Sequence, residues 1–532
     1  MPEFITPQDL KTRIRSGAEL AIIDLRDEGD FIEAHLFHAR SVPLSRLKLR
    51  IETLVPRRGA PIVLMDGGNA KLVGSGAALL AAMGYTEVLV LERGLEGAMA
   101  GGFEKFSGTH VPSKAFGEFV ELTYGTPHVS AAELDALVRK GADLVILDAR
   151  PFDEYHRMNI PSAIPVAGAE LVYRIADVVP DSTTTIVVNC AGRTRSIIGA
   201  QSLINAGIPN PVFALKDGTA GWQLAGFELE RGSDRRIPVA SEAGLSRARN
   251  AAEAVARRFD VRRITHAELA VWQSEKESRT LYLFDVRAPE EFNAGHPAGF
   301  RPAPGGQLVQ ATDDYVGVIG ARIVLADDNG VRATMTASWL MQLGWRDVVV
   351  LENALAGPLS QPEARNPGTP DTARPIAEIT PLALQALAKS SMAVMVVDLA
   401  ADEAYCRGHI PGSVWATPQT LNNLLGDFSN LDVLVIAAED DAVAHAVARS
   451  LVPLTTHAVL RVLIGGAAGW ADARLPVNTI APGALRAPDS GGASSPEQKA
   501  AIERELRKYL TWEVGLVEQV RRDGDAGYRY FV

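Results

Sequence analysis

Cys190 is one of two cysteines in 532 residues, and it stands in the stretch "IVVNCAGRTRSIIGAQSL", Ile186 to Leu203. Ile186 to Val188 form a β-branched run typical of a buried parallel strand, and from Ser196 onward the small and apolar spacing is that of a helix. The pattern places the cysteine on a strand-to-helix turn. Such a turn aims free backbone N–H groups at the sulfur, and Arg193 and Arg195 bring positive charge, so a thiolate is expected in preference to the thiol. That is the setting of a nucleophile; the alternative is a structural thiol, since free cysteine is among the most buried residue types. The second cysteine, Cys406, has no arginine loop of its own. Two cysteines build neither a disulfide framework nor a metal site made of cysteine alone.

Positioning such a loop takes a scaffold, and the chain repeats one. Four segments share a register: "AIIDLRDEGDF" (21–31), "VILDARPFDEY" (145–155), "YLFDVRAPEEF" (282–292) and "MVVDLAADEAY" (395–405). In each, an apolar strand ends at an aspartate, Asp24, Asp148, Asp285 or Asp398, and an aromatic residue follows seven positions later. Four positions beyond the aromatic stand His35, Asn159, His296 and His409. Upstream, Ser130 with Glu133 and Thr265 with Glu268 fit the capping box that starts a helix. Downstream, a second apolar strand leads into a small-residue helix, and a third strand follows ("EVLVLERG", "PVFALKDG", "DVVVLENA", "AVLRVLIGG"). The alternation predicts an α/β fold, each copy a small parallel sheet with helices on both faces, where ligands bind at the carboxyl ends of the strands.

The repeats set the boundaries. Domain one covers 1–110, domain two 127–232, domain three 260–360 and domain four 376–480, with 481–532 a flexible stretch and a C-terminal helix. "SEAGLSRARNAAEAVARRF" (241–259) reads as a helical linker, and "SQPEARNPGTPDTARP" (360–375) as an extended, proline-rich one. The last helix is expected to start at Ser495, with Pro496 at its first position and Gln498 completing a capping box. Its apolar residues, Ile502, Leu506, Tyr509 and Leu510 among them, are expected to pack it back on the domains or on a second copy of the chain in a homo-oligomer.

Composition narrows the function. Hydrophobic content of 47% with 22% charged residues is that of a globular protein, and the net charge of −11 argues against nucleic acid as a main partner. The start, "MPEFITPQDL", has neither a basic nor an apolar leader segment, and no run of about 18 apolar residues occurs, so no membrane span and a cytoplasmic location are expected. Nothing in the residues calls for a metal or a cofactor. His35, His296 and His409 are read as turn histidines bonded to backbone rather than as ligands, His156 as a surface residue, and Trp222 and Trp470 as core.

Together, the "LDAR…DEY" of domain two, the "DEAYCRGHIPGS" of domain four, the "CAGRTRS" loop and the closing "LKDGTAGW" and "IGGAAGW" resemble the rhodanese-like sulfurtransferases in their multidomain tandem form. The resemblance covers about four-fifths of the chain. It implies that Cys190 accepts a sulfane sulfur and becomes a persulfide, with the loop residues Ala191, Gly192, Arg193, Thr194, Arg195 and Ser196 binding substrate. Gly192 is expected to permit a turn that a Cβ would obstruct. Arg193 or Arg195 would hold the oxygens of a thiosulfate-like donor, and a thiol or cyanide would accept the sulfur. Arg150 aligns with an arginine that lines the pocket in some relatives; pairing with Asp148 or Glu154 is its structural alternative. Phosphatases of a related fold have five residues between cysteine and arginine, whereas four stand between Cys190 and Arg195, which favours sulfur over phosphate.

The other copies lack the thiol. Counting 42 residues from the strand-end aspartate reaches Cys190 in domain two, Asp66 in domain one and Asp327 in domain three, and the helix register places Ala438 there in domain four. Those three domains are read as inactive scaffold or binding modules. Lys71 and Arg332, five residues after the acids, are expected to pair with Asp66 and Asp327. Two readings of the whole chain follow: an enzyme turning over small sulfur donors, or a carrier that takes a persulfide from one protein partner and passes it to another.

Overall fold

The computed structural model describes residues 3–68, 70, 72–179, 181–361, 376–400, 402–416, 421, 431–452, 455, 458–479 and 496–531. They fall into two compact units, one of Met1–Leu10, Ala21–Gly108 and Pro362–Arg486, the other of Lys11–Leu20, Thr109–Gln361 and Ala487–Val532.

Each repeat contributes five parallel strands to one sheet, and in all four copies those five have the same order. In the second copy the strands are His128–Val129, Leu144–Asp148, Ile164–Pro165, Thr185–Asn189 and Val212–Leu215. Numbered along the chain, they lie in the order first, fifth, fourth, second, third. The fourth strand is therefore central: Val187 pairs with Phe213 on one side and with Ile146 on the other. Its homologues are Ile62–Met65, Arg322–Ala326 and Val433–Ala437. Strands buried on both faces must be apolar throughout, which is why these segments read as unbroken Val, Ile and Leu runs. The residue just past the end of this strand is Cys190 in the second copy, and Asp66, Asp327 and Ala438 in the others. The α/β fold expected from the repeats is the one observed.

Local signals hold where they can be compared. Ser130 and Thr265 each accept the N–H of the glutamate three residues on, and that glutamate caps the backbone N–H in return. The aromatic and histidine of each repeat stack, ring centroids 4.0 Å apart for Phe31–His35, 3.8 Å for Phe292–His296 and 4.0 Å for Tyr405–His409. Each histidine Nδ1 bonds the carbonyl of that aromatic, at 2.7, 3.1 and 2.9 Å. In the second copy the Asn159 amide donates to the Tyr155 carbonyl instead, at 3.2 Å. Trp222 and Trp470 are core residues, as expected.

The second unit carries three helices outside the repeats. Glu242–Phe259 is the helical linker, with Ser241 accepting the Gly244 N–H at its start. Pro496–Asp523 is the C-terminal helix, which docks Leu506 and Leu510 on Ala220 of the second copy. Val111–Tyr124 is a helix with no counterpart in the sequence reading. The expected cap at Ser495, residues 362–375 of the proline-rich linker between the third and fourth copies and Lys71 lie outside the described residues. No helix among the described residues is long and apolar enough to cross a membrane.

Candidate functional site

Cys190 follows the central strand Thr185–Asn189 and precedes the helix Thr194–Asn205. A neighbouring turn braces the loop. The Cys190 carbonyl accepts the Thr219 N–H at 2.8 Å and the Ala191 carbonyl accepts the Ala220 N–H at 3.0 Å. That approach requires glycine at Gly218, whose φ is +55° and where a Cβ would stand 2.3 Å from the Cys190 oxygen. Gly94 and Gly466 make the same approach to the Asp66 and Ala438 carbonyls, whereas the third copy has Ala354 at the corresponding place.

The sulfur lies 3.1 Å from the Ser196 hydroxyl, which also reaches the Arg193 carbonyl at 3.0 Å. Cys190 is only 2% exposed. Burial pushes its thiol above the ordinary value, and the pull of Arg195 and the Ser196 hydrogen bond does not overcome it. The expected thiolate is therefore corrected to a thiol in the resting site, because desolvation outweighs one nearby guanidinium.

The two loop arginines separate. Arg193 is buried and committed: its Nε and NH2 donate to Glu118 at 2.6 and 2.9 Å, and its NH1 to Asp217 at 3.0 Å, with Glu121 as a further partner. It is thus not a free binder of donor oxygens. Arg195 pairs with one residue, Glu154, at 2.7 and 2.9 Å, and is the cation that acts on Cys190. Glu154 is held below the usual carboxylate value: burial would raise it, but Arg195 prevails.

Arg150 takes its structural alternative. It is 1% exposed, donates to Asp148 through Nε at 2.9 Å and NH2 at 2.6 Å, and reaches the Met158 carbonyl at 2.6 Å. Arg26 and Arg287 make the same pair with Asp24 and Asp285. Arg150 thus locks the strand end through Nε and NH2, while its buried NH1 has no hydrogen-bond partner among the described residues. Gly192 is corrected as well. Its φ is ordinary, and what a Cβ would meet is the C-terminal helix, Glu513 Oε2 and Tyr509 Cε1 both at 3.1 Å.

Thr194 donates to Glu513 at 2.7 Å, which ties the start of the loop helix to the chain's last helix. Lys114, on the helix Val111–Tyr124, lays its ammonium 5.2 Å from the Tyr509 ring centroid and 4.7 Å from that of Trp512. Burial pushes Lys114 down to about 8. Glu118, Lys114 and Glu513 were not foreseen from sequence, since no local pattern links residues that far apart; the one available sign was Tyr509 and Glu513 sharing a helix face at four-residue spacing. A cavity of about 30 Å³ lies on the other side of the loop helix, lined by Arg195, Gly199, Gly305, Thr336 and Trp339 among others.

The equivalent loops are filled by their own carboxylates. Asp327 accepts the Gly330 N–H at 2.7 Å and the Ala333 N–H at 3.1 Å; Asp66 accepts those of Gly68 at 2.8 Å and Leu72 at 3.4 Å. Arg332 does not bond Asp327. Its partners are Glu291 at 2.6 Å, Asp328 at 2.7 Å and Glu170 at 2.8 Å, a correction that follows from backbone N–H groups already satisfying the acid. Cys406 is buried beside Tyr405 and Ala400. No cluster of metal-ligating side chains occurs among the described residues.

Fold and loop together define a tandem array of parallel α/β domains, with a buried cysteine at the end of the central strand in one of them. The chain belongs to the rhodanese-like domain family, whose model matches residues 6–100, 130–225, 265–357 and 380–473. Over its full length it is similar to the crystal structure of a thiosulfate sulfurtransferase from Pseudomonas aeruginosa, at 41% identity and a TM-score of 0.73, with all of both chains covered. It is also 31% identical over 110 residues to the HTH-type transcriptional regulator Rv0324 of Mycobacterium tuberculosis, a match that covers 20% of this chain and about half, 48%, of the regulator. By family and full-length relative, the protein is a rhodanese-like sulfurtransferase.

Proposed function

We propose that the second copy, residues 127–232, transfers sulfane sulfur from thiosulfate or a similar donor through a persulfide on Cys190, and that the copies at 1–110, 260–360 and 376–480 carry no sulfur. The observation that bears this reading is the Cys190 thiol, seated between the Ser196 hydroxyl and Arg195 at the end of the central strand. The other three copies offer Asp66, Asp327 and Ala438 at that point, and none of these can bond sulfur covalently in this way.

In the first half-reaction Cys190 loses its proton and the thiolate attacks the outer sulfur of thiosulfate. An S–S bond forms to Cys190, the bond to the sulfonate sulfur breaks, and sulfite leaves with the electron pair. Arg195 supports the departing charge. In the second, an acceptor thiolate or cyanide attacks the terminal sulfur, and the Cys190 thiolate is released. The full-length likeness to a thiosulfate sulfurtransferase supports thiosulfate as one donor.

Intact mass spectrometry after brief exposure to thiosulfate tests the proposal. One added sulfur per chain is expected, retained in Cys406→Ser and lost in Cys190→Ser; no added sulfur in the wild type would remove thiosulfate as donor. The three copies without a loop thiol favour a second reading, in which they are docking surfaces and Cys190 is a carrier loaded by a protein persulfide. Turnover of roughly 1 to 1000 per second on small donors and acceptors alone would support the enzyme. Negligible turnover with ready transfer from a protein persulfide would support the carrier.

A further inference from the structure

Glu513 is the unexplained charge at the Cys190 loop. It is 1% exposed, its Oε1 accepts the Thr194 hydroxyl at 2.7 Å, and its Oε2 has no hydrogen-bond partner among the described residues. That orphan oxygen stands 3.1 Å from where a Cβ on Gly192 would be, so it lies directly against the loop. A buried carboxylate oxygen left without a partner costs free energy.

The surrounding charges do not cancel it. Arg193 is matched by Glu118, Glu121 and Asp217, and Arg195 by Glu154. Lys114 is the remaining cation, held over the rings of Tyr509 and Trp512, and among the described residues it forms no ion pair. Glu513 acts on Cys190, and on Lys114, at close enough range to bias both. Any donor that reaches the sulfur must therefore come up against a fixed negative charge in a low-dielectric setting, where charge is felt strongly.

We propose that Glu513 is a specificity-determining residue of the Cys190 site: its carboxylate penalises sulfur donors in proportion to their negative charge, with Lys114 opposing it. The site then favours neutral and singly charged donors over a small dianion. This rests on Cys190 being the sulfur-accepting nucleophile.

Three reagents attacked at the same kind of sulfur provide a charge series. Thiosulfate is a dianion and gives the Cys190 persulfide and sulfite. Methanethiosulfonate is a monoanion and gives the same persulfide and methanesulfinate. Methyl methanethiosulfonate is neutral and gives the Cys190 methyl disulfide and methanesulfinate. In each case the Cys190 thiolate forms the new S–S bond and the sulfur–sulfonyl bond breaks with its electron pair on the leaving group.

Loading rates of the full chain at pH 7 and low salt, read by intact mass, would be compared for wild type, Glu513→Gln and Lys114→Gln. Glu513→Gln keeps an acceptor for Thr194 and is expected to speed loading about tenfold with thiosulfate and about threefold with methanethiosulfonate, leaving the neutral reagent within twofold. Lys114→Gln is expected to slow the two anions in the same order, an opposite sign that general damage to the fold would not produce. Equal changes for all three reagents, or none, would overturn the inference while leaving the sulfur-transfer reading in place. If the neutral reagent labels Cys190 but neither anion loads it in any variant, the sulfur-transfer reading fails, and the role of Glu513 fails with it.

Discussion

At Cys190 two effects oppose each other. Burial at 2% exposure removes water from a thiolate, while Arg195 and the Ser196 hydroxyl favour one, and burial wins. The resting thiol should thus ionise later than an ordinary cysteine. The difference in thiolate absorbance near 240 nm between wild type and Cys190→Ser, followed against pH, is expected to rise only at pH above about 8.5, the ordinary cysteine value. A midpoint below that value would mean that water or a ligand reaches the sulfur. Replacing Arg195 by Gln should move the midpoint higher still. The type of each loop residue was legible in the sequence, down to the cysteine and its arginines. Their bonding was not, because Arg193 finds Glu118 on a helix that shares no sequence pattern with the loop.

Among the elements, the strand-end aspartate shows what a repeat loses when one partner changes. Asp24, Asp148 and Asp285 each hold an arginine two residues on, but the fourth copy has Ala400 there. Asp398 keeps only the Ala400 N–H at 3.0 Å, its Oδ2 has no partner among the described residues, and burial pushes it up to about 6. An acid whose folded pKa lies above its unfolded value of about 3.9 stabilises least when ionised. Local stability of the fourth sheet should therefore be highest below pH 4 and fall by about 2–3 kcal/mol as pH rises to about 6, then level off. Amide exchange in the strand Val394–Asp398 would report it, and Asp398→Asn should flatten the slope. Strands, capping boxes and backbone-bonded histidines could be read from sequence because each is set by neighbours a few residues away. The helix Val111–Tyr124 was harder to read: its N-cap, His110, sits at a φ of 51° without a side-chain cap, which leaves Pro112 in the first turn as its start signal.

Across the larger unit, the C-terminal helix ties distant parts of the chain to the loop. Leu506, Leu516 and Val517 are buried at 1%, 0% and 7% exposure, and Tyr528 meets Phe116 edge-on with ring centroids 5.2 Å apart. Removing residues 496–532 would uncover the helix Val111–Tyr124 and Gly192 together. We expect a melting temperature lower by several degrees, since losing even two such side chains costs on the order of 3 kcal/mol. Iodoacetamide should label Cys190 in the truncated chain at least about ten times faster than in the intact one, the gain expected when local opening is eased by about 1.4 kcal/mol. Unchanged labelling would mean that the helix does not limit access. Docking of this helix on the domains was expected from its apolar spacing; its reach to the loop was not, since only folding brings Thr194 and Glu513 together.

The carboxylates of Asp66 and Asp327 already hold the backbone N–H groups of their loops. On the proposed reading this bears on stoichiometry. Two cradles carry a permanent tenant, and the fourth copy has Ala438 in its loop, its one thiol, Cys406, being buried away from that loop beside Tyr405 and Ala400. A chain of four similar domains would then bind sulfur in the ratio of a single-domain protein, and sulfur per chain in a purified sample would read directly as the fractional occupancy of Cys190.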